Sequence, residues 1–337
     1  MSNVKKEHYV PRCYLKNFAN KNKRIYVFDK RLGRCRNQKI TEIAAENHFY
    51  DMDINELVNM KEFDALKRKE LKTELMKNLN AKTWEEAVAK FDTQYMEKHM
   101  SGIEYHFEKL LKKIIDDVRS GNVVSLSDEE KIEMSLYIAI QYQRTQTIRN
   151  DFEEMIMGTI NVLANKESPF EGQIMLENES YNILKKYIKC LHLMTMSDGT
   201  TITEIANILY NHIWTFHVNK TNIPFYTSDS PVVPIPHYSN HYMSYSGLES
   251  PGIEVVFPIS SNILLSMHDK NDERNKNKID KETDFMTEED YVKFYNDYQV
   301  SYSNRCVFSV SDDFKTLEQL FSKHSELKKS QPHITVH

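Results

Sequence analysis

The sequence predicts an α+β protein, with β-rich segments at its two ends and a large helical region between them. Three observations lead there. Short β-branched and aromatic runs bounded by turn residues gather before residue 53 and again after residue 213. Between them, residues 54–212 hold one proline, Pro169, so helix breakers are scarce over about 160 residues. Strands, then helices, then strands is an α+β order; a doubly wound sheet would need strand and helix to alternate. The terminal segments are expected to share one mixed sheet. The parts 1–53, 54–212 and 213–337 then form one integrated domain with a helical insertion.

In the first part, Ile25-Tyr26-Val27-Phe28 reads as a strand, Gly33 as its turn and Gln38-Lys39-Ile40 as the antiparallel return. Thr41–Glu46 is expected to make a helical turn, and Asn47-His48-Phe49-Tyr50 another strand. Tyr14, Leu15 and Phe18 look like one face of a short helix that His8 would cap. In the second part, Thr83-x-x-Glu86, Ser127-x-x-Glu130 and Thr201-x-x-Glu204 are capping boxes, which satisfy free N–H groups at helix starts. Ile103, Phe107, Leu110, Leu111 and Ile114 follow helical spacing, as do Ile132, Leu136, Ala139, Ile140 and Gln143, so each set is expected to face inward. In the third part, 214–218, 223–226, 253–257, 263–267 and 306–310 are strand candidates. A helix over 287–298, capped by Thr287-x-x-Asp290, interrupts them. The polar stretch 270–281 reads as an exposed loop, and a last helix spans about 312–327.

Composition narrows the function. The chain has 337 residues, a net charge of −5 and eight glycines. Backbone that cradles a phosphate closely needs clustered glycine, and no GxGxxG, GxSxG or complete P-loop occurs. No nucleotide-cofactor motif is therefore present; the residues leave a divalent metal open and name no cofactor. Cys13, Cys35, Cys190 and Cys306 form no CxxC pair, and no apolar run approaches the roughly 18 residues that span a bilayer. The expectation is a cytoplasmic protein with reduced thiols and no membrane partner. Twelve lysines and arginines crowd residues 5–39. They make either a solvated face around a hairpin or a surface for nucleic acid or nucleotides. Oligomeric state is not legible.

Several side chains could carry chemistry. His8 lies in a basic, aromatic setting just before Val10-Pro11, and an imidazole titrates near neutrality. Glu104 and Arg144 each interrupt an apolar helical stripe, 104/107/111/115 and 137/140/144/148. An inward charge must be paired or must serve a ligand. They are either a buried ion pair between two helices or an anion clamp with an orienting carboxylate. Gln141 is near the Arg144 face. Asp229, between Ser228 and Ser230, either builds an Asx turn or supplies a catalytic or metal-binding carboxylate. Arg12, Tyr14, Gln141 and Ser228 are the substrate-binding candidates beside His8, Glu104, Arg144 and Asp229. Tempting motifs fail: His237 and His241 lack a helical setting, His268-x-Lys270 lacks its aspartate, and the ExK pairs at 70 and 129 lie in helices. No Ser/His/Asp order reads as a triad.

The blocks His8-Tyr9-Val10-Pro11-x-x-Tyr14-Leu15-x-x-Phe18, Val27-Phe28-Asp29-Lys30, Glu46-Asn47-x-Phe49-Tyr50, Gly102-Ile103-Glu104, Gln141-x-x-Arg144 and Thr227-Ser228-Asp229-Ser230-Pro231 occur in that order. Together they resemble a bacterial family known as domain of unknown function 4238. Ser230 stands where that family usually has Asn. The likeness spans about residues 8–310, with 54–100 the least similar stretch. It implies a common fold and no mechanism.

Two functional readings follow from the residues. One is a hydrolase acting on phosphodiesters or nucleotides, with His8 as acid/base, Glu104 and Asp229 holding a metal or water, and Arg144 stabilising phosphate charge. The other is a non-catalytic binding or regulatory module, in which Glu104–Arg144 is purely structural.

Overall fold

The structure is a computed structural model that describes residues 6–50, 54–59, 64–90, 95–167, 178–197, 199–238 and 245–328. Pro169, His241 and the residues after 328 lie outside these. The class is α+β, as the sequence predicts, with central helices between strand-rich ends.

Strand β1 (Lys6–His8) leads through Pro11 into a single helical turn, α1 (Arg12–Leu15). His8 therefore does not cap that helix; Pro11 occupies the N-cap. Strands β2 (Arg24–Asp29) and β3 (Arg34–Lys39) form the expected hairpin, turned by Gly33 at φ +60°, where a side chain would be strained. Residues 41–44 make turns rather than a helix, and β4 (Ala45–Asn47) pairs antiparallel with β1. Residues 48–50 are not strand: His48, at φ +57°, turns the chain.

The central region comprises α2 (Ile54–Val58), α3 (Ala65–Asn78), α4 (Trp84–Lys90), α5 (Tyr95–Arg119), α6 (Asp128–Gln143), α7 (Gln146–Glu167), α8 (Asn178–Ser197) and α9 (Gly199–Tyr210). Ser127 makes a complete capping box with Glu130. Thr83 accepts the Glu86 N–H, and the Glu86 carboxylate accepts the Lys82 N–H. Thr201 lies inside α9, which starts at Gly199, so the third box is not a cap. In α5, Phe107, Leu110, Leu111 and Ile114 are buried as the spacing predicts. In α6 the inward face is only partly the expected one: Ala139 and Ile140 are buried as the spacing predicts, but Ile132 and Leu136 are exposed, and Met134, Tyr137, Ile138 and Gln141 are buried beside them. Lys131 draws that face in: its Nζ donates to the His212 carbonyl and to the Asp280 carboxylate.

The C-terminal part contains β5 (Ile213–Asn219), β6 (Thr227–Ser228), β7 (Val233–Pro236), β8 (Ile253–Ser260), β9 (Ile263–His268), β10 (Glu282–Met286), α10 (Glu289–Tyr302), β11 (Cys306–Ser309) and α11 (Lys315–Lys323). Residues 223–226 precede β6 without being strand, and α10 starts after Glu288 with no side-chain cap from Thr287. The terminal strands do not form one sheet. A four-stranded sheet, β3-β2-β11-β6, joins the two ends of the chain. A five-stranded mixed sheet, β10-β5-β9-β8-β7, is built from C-terminal strands alone. One face of the latter presents Trp214, Phe216, Phe257, Leu265 and Met267 to Phe107 and Met134 of the helices, forming the main core. Burying each such side chain contributes roughly 1.5–3 kcal/mol. The other face packs Val233, Ile235 and Leu264 against Val292 of α10. Among the described residues no helix is long and apolar enough to cross a membrane.

Candidate functional site

Three of the four expected catalytic residues meet at Arg144, which terminates α6 and whose side chain is 1% exposed. Its Nη1 donates to Glu104 Oε1 at 2.9 Å, its Nε to the Tyr50 hydroxyl at 3.0 Å and its Nη2 to the His8 carbonyl at 2.5 Å. The guanidinium thus ties α5, α6, β1 and the segment after β4 together. It is engaged on every nitrogen, so it positions its neighbours and is not an open anion clamp. Tyr50, which the sequence reading missed, also donates to the His8 carbonyl at 3.3 Å. Its presence in the Glu46–Tyr50 block was the available signal.

The His8 imidazole stands beside this hub. Its Nε2 is buried without a hydrogen-bond partner. Burial first, then the positive charges of Arg12, Arg144 and Lys6, push its pKa down to about 4, against a hydrogen bond with the Ile40 backbone. The ring is therefore neutral at pH 7. Glu104 keeps a quarter of its side chain exposed, 26%, in a cavity of about 620 Å³. Arg12, Lys16, Lys23 and Lys39 line that cavity together with Glu104 and Glu108, and Lys16 is ion-paired with Glu108. Arg12 and Ile40 belong to its wall as well as acting on His8.

Asp229 is not among the partners of Arg144. It is buried in the turn after β6, where its carboxylate accepts the backbone N–H groups of Asn304, Arg305 and Cys306 at 2.7–2.9 Å. Burial raises its pKa, and the three N–H donors and Lys30 pull it back. Its surroundings form a second cavity of about 480 Å³. Tyr14, Gln141 and Ser228 are closed off from solvent. The Tyr14 hydroxyl bonds Thr227 Oγ1 and the Pro258 carbonyl, both at 2.7 Å. Gln141 Nε2 donates to the Tyr9 carbonyl, and Ser228 Oγ accepts from Gln299 Nε2 and the Ser230 N–H. Of the four substrate-binding candidates, Arg12 is the one at a cavity wall.

With the hub and its cavities in place, the family comparison decides the wider question. A family model described as "Protein of unknown function (DUF4238)" matches residues 6–313. The chain belongs to the DUF4238 family. No curated protein and no solved structure matches it. The motif blocks of this DUF4238 member converge in space: Tyr9, Asp29, Glu46 and Asp229, each from a different block, line the second cavity.

One constellation was invisible in the sequence. Asp284 Oδ2 lies 3.2 Å from His217 Nδ1, and His217 Nε2 lies 2.8 Å from Ser266 Oγ. His268 Nε2 approaches the same Oγ at 2.9 Å. The order is that of a Ser–His–Asp triad. Ser266 is fully buried at the centre of the five-stranded sheet, so the chain serves to satisfy polar groups beneath α10. Among the described residues no three His, Cys, Asp or Glu side chains are grouped to hold a metal ion.

Proposed function

We propose that this DUF4238 member is a hydrolase of phosphodiester or nucleotide substrates, working at the cavity beside Glu104. The observation that carries this reading is His8: an uncharged imidazole with an unpartnered Nε2, acted on by two residues of a cavity rimmed by four basic side chains. His8 lies behind the cavity wall, so a rotation that exposes Nε2 would let the neutral imidazole take the proton of an attacking water. Arg12, Lys16, Lys23 and Lys39 would stabilise the phosphate charge that grows in the transition state. Glu104 orients water through the part of its carboxylate left exposed. Arg144 holds Glu104 and the β1 backbone in register, as a positioning residue. The test is turnover of single-stranded DNA, RNA and mononucleotides with and without Mg²⁺ or Mn²⁺. His8→Ala is expected to lower the rate by about 100-fold or more; absence of turnover by the parent refutes the reading.

The second reading, a non-catalytic module, draws on Arg144 and Asp229. Arg144 spends three N–H donors on protein acceptors, and both Asp229 oxygens accept backbone N–H groups. It expects binding of the same polyanions without turnover, with affinity unaffected by His8→Ala.

A further inference from the structure

A third cavity, of about 740 Å³, opens between α7, α10 and the edge strand β7, and shares no lining residue with the other two. Its walls follow from local patterns. On α7, Ile148, Asp151, Phe152 and Met155 stand at i, i+3, i+4 and i+7, which is one face of a helix. On α10, Tyr298, Ser301 and Tyr302 repeat that spacing. Strand β7 adds Pro234 and Pro236. Most of this lining is apolar or aromatic, as in cavities that take organic ligands.

The electrostatics of the cavity are one-sided. Asp151, 6% exposed, places a carboxylate within the apolar stripe of α7. Among the described residues that line the cavity there is no lysine, arginine or histidine. Neutral donors can satisfy a carboxylate's lone pairs, but they do not cancel its charge. The Tyr142 and Tyr302 hydroxyls bond each other within reach of that charge. Burial first raises the pKa of both phenols, and Asp151 raises it further, against the Tyr302 hydrogen bond at Tyr142. Both rings therefore stay neutral at pH 7, and the net charge of the lining is negative.

Several donors that could hold an anion are missing or already used. Pro234 and Pro236 have no N–H. The Gly247 N–H donates to Ser250 Oγ, the Ser250 N–H to the Gly247 carbonyl, and the Ser301 hydroxyl to the Asp297 carbonyl. What the walls supply instead is aromatic: Tyr142, Phe152, Tyr298 and Tyr302. An aromatic ring attracts a cation through its quadrupole, and more strongly where water is excluded.

We infer that this cavity binds an organic cation, a primary or quaternary ammonium carried on an apolar body. The ammonium sits toward Asp151 and the tyrosines, and the apolar body toward Met155 and the prolines of β7. The site is independent of hydrolysis beside Glu104, and its test needs no turnover.

The experiment is titration calorimetry of the full chain with four probes of one skeleton: hydrocinnamyl amine, its quaternary trimethylammonium form, hydrocinnamyl alcohol and hydrocinnamate. At least one of the cations is expected to bind about tenfold or more tightly than the alcohol, with the carboxylate weakest. Asp151→Asn is expected to bring that cation down to the affinity of the alcohol, while the alcohol itself binds as to the parent. Met155→Lys, which puts an ammonium at the cavity wall, is expected to weaken the cation by about tenfold. Met155 is 38% exposed, so Met155→Lys decides if circular dichroism shows that Asp151→Asn fails to fold. The inference is overturned if neither cation binds at millimolar concentration, or if the alcohol or the carboxylate binds as tightly as the better cation. It is also overturned if a folded Asp151→Asn variant keeps the preference for the cation, or if Met155→Lys leaves the cation's affinity unchanged.

Discussion

Replacing Arg144 with methionine tests whether the hub is the structural joint that its geometry describes. The substitution keeps an apolar side chain between α5 and α6 and removes all three hydrogen bonds. Bonds to a charged group are worth about 1.5–3 kcal/mol each, and breaking a buried ion pair by deleting one partner costs about 3–5 kcal/mol. Two features moderate the loss. The Tyr50 hydroxyl and the His8 carbonyl keep each other at 3.3 Å, and Glu104 can turn its carboxylate to water because it is 26% exposed. The expected loss is therefore at the low end, about 3 kcal/mol. Glu104→Gln retains an acceptor for Nη1 and loses only the charge, so about 1 kcal/mol is expected. Because the two side chains touch, their effects should not add; a coupling of about 1 kcal/mol is expected from the double variant. Urea denaturation followed by Trp fluorescence and circular dichroism measures all three. A loss below about 1 kcal/mol for Arg144→Met, or additive effects, would refute the account of Arg144 as the joint.

Acidification gives a second prediction. His192 Nδ1 accepts from Arg149 Nε at 3.2 Å and its other nitrogen bonds the Gln143 carbonyl at 2.7 Å, so the neutral ring is locked; burial, then Arg149, lower its pKa to about 3. Burial likewise lowers His268 to about 4, with Lys278, His217 and His237 adding to it and Glu254 opposing. The unfolded chain binds these protons first, near its pKa of about 6.5. Stability should be complete above pH 6.5, fall progressively toward pH 4, and lose on the order of 3 kcal/mol through His268 alone. Urea midpoints that do not change between pH 7 and pH 4.5 would contradict this. A third prediction concerns Gly252, at φ +71°, where an added Cβ would run into the Tyr238 ring and lie 2.7 Å from Arg274 Nη2. Gly252→Ala should destabilise by about 2 kcal/mol or more, and a thermal midpoint equal to the parent's would be inconsistent with it. Fourth, Asp229→Asn keeps the shape but points an amide N–H at backbone donors, so a loss of about 2–4 kcal/mol is expected in the same urea assay.

The parts of this molecule legible from sequence are those with local causes. The β2–β3 hairpin follows from an apolar run and a glycine turn, and Ser127 caps α6 through its own third residue, Glu130. The Glu104–Arg144 pair is legible for a different reason: a charge inside an apolar stripe requires a partner, and each stripe offered one charge. What was not legible depends on distant chain. The face of α6 differs in part because Lys131 found Asp280, 149 residues away. Strand β7 was hidden by Pro234 and Pro236, which an edge position tolerates. The triad-like chain joins His217, Ser266 and Asp284 through strand register, which no spacing in the sequence encodes. Thr215, His217 and Asn219, alternating with Trp214, Phe216 and Val218, did carry a signal: β5 has one polar face.

The distribution of satisfied and unsatisfied polar atoms bears on function more than the list of charged residues does. Arg144 and Asp229, two charges that stand out in the sequence, are each committed to three partners in the fold. A fully bonded buried charge has little left to give a substrate, because any new contact must first break an old one. Among the described residues, His8 Nε2, Gln146 Oε1 and Arg36 Nε are buried side-chain atoms that the fold leaves unmatched. Each sits one step from a consumed charge. Arg144 holds the His8 carbonyl, Asp229 holds the backbone of Arg305, and Asp29 holds Arg36. The committed charges supply rigidity, and the atoms left unmatched lie beside them, where they could be satisfied only by a change in the packing around them.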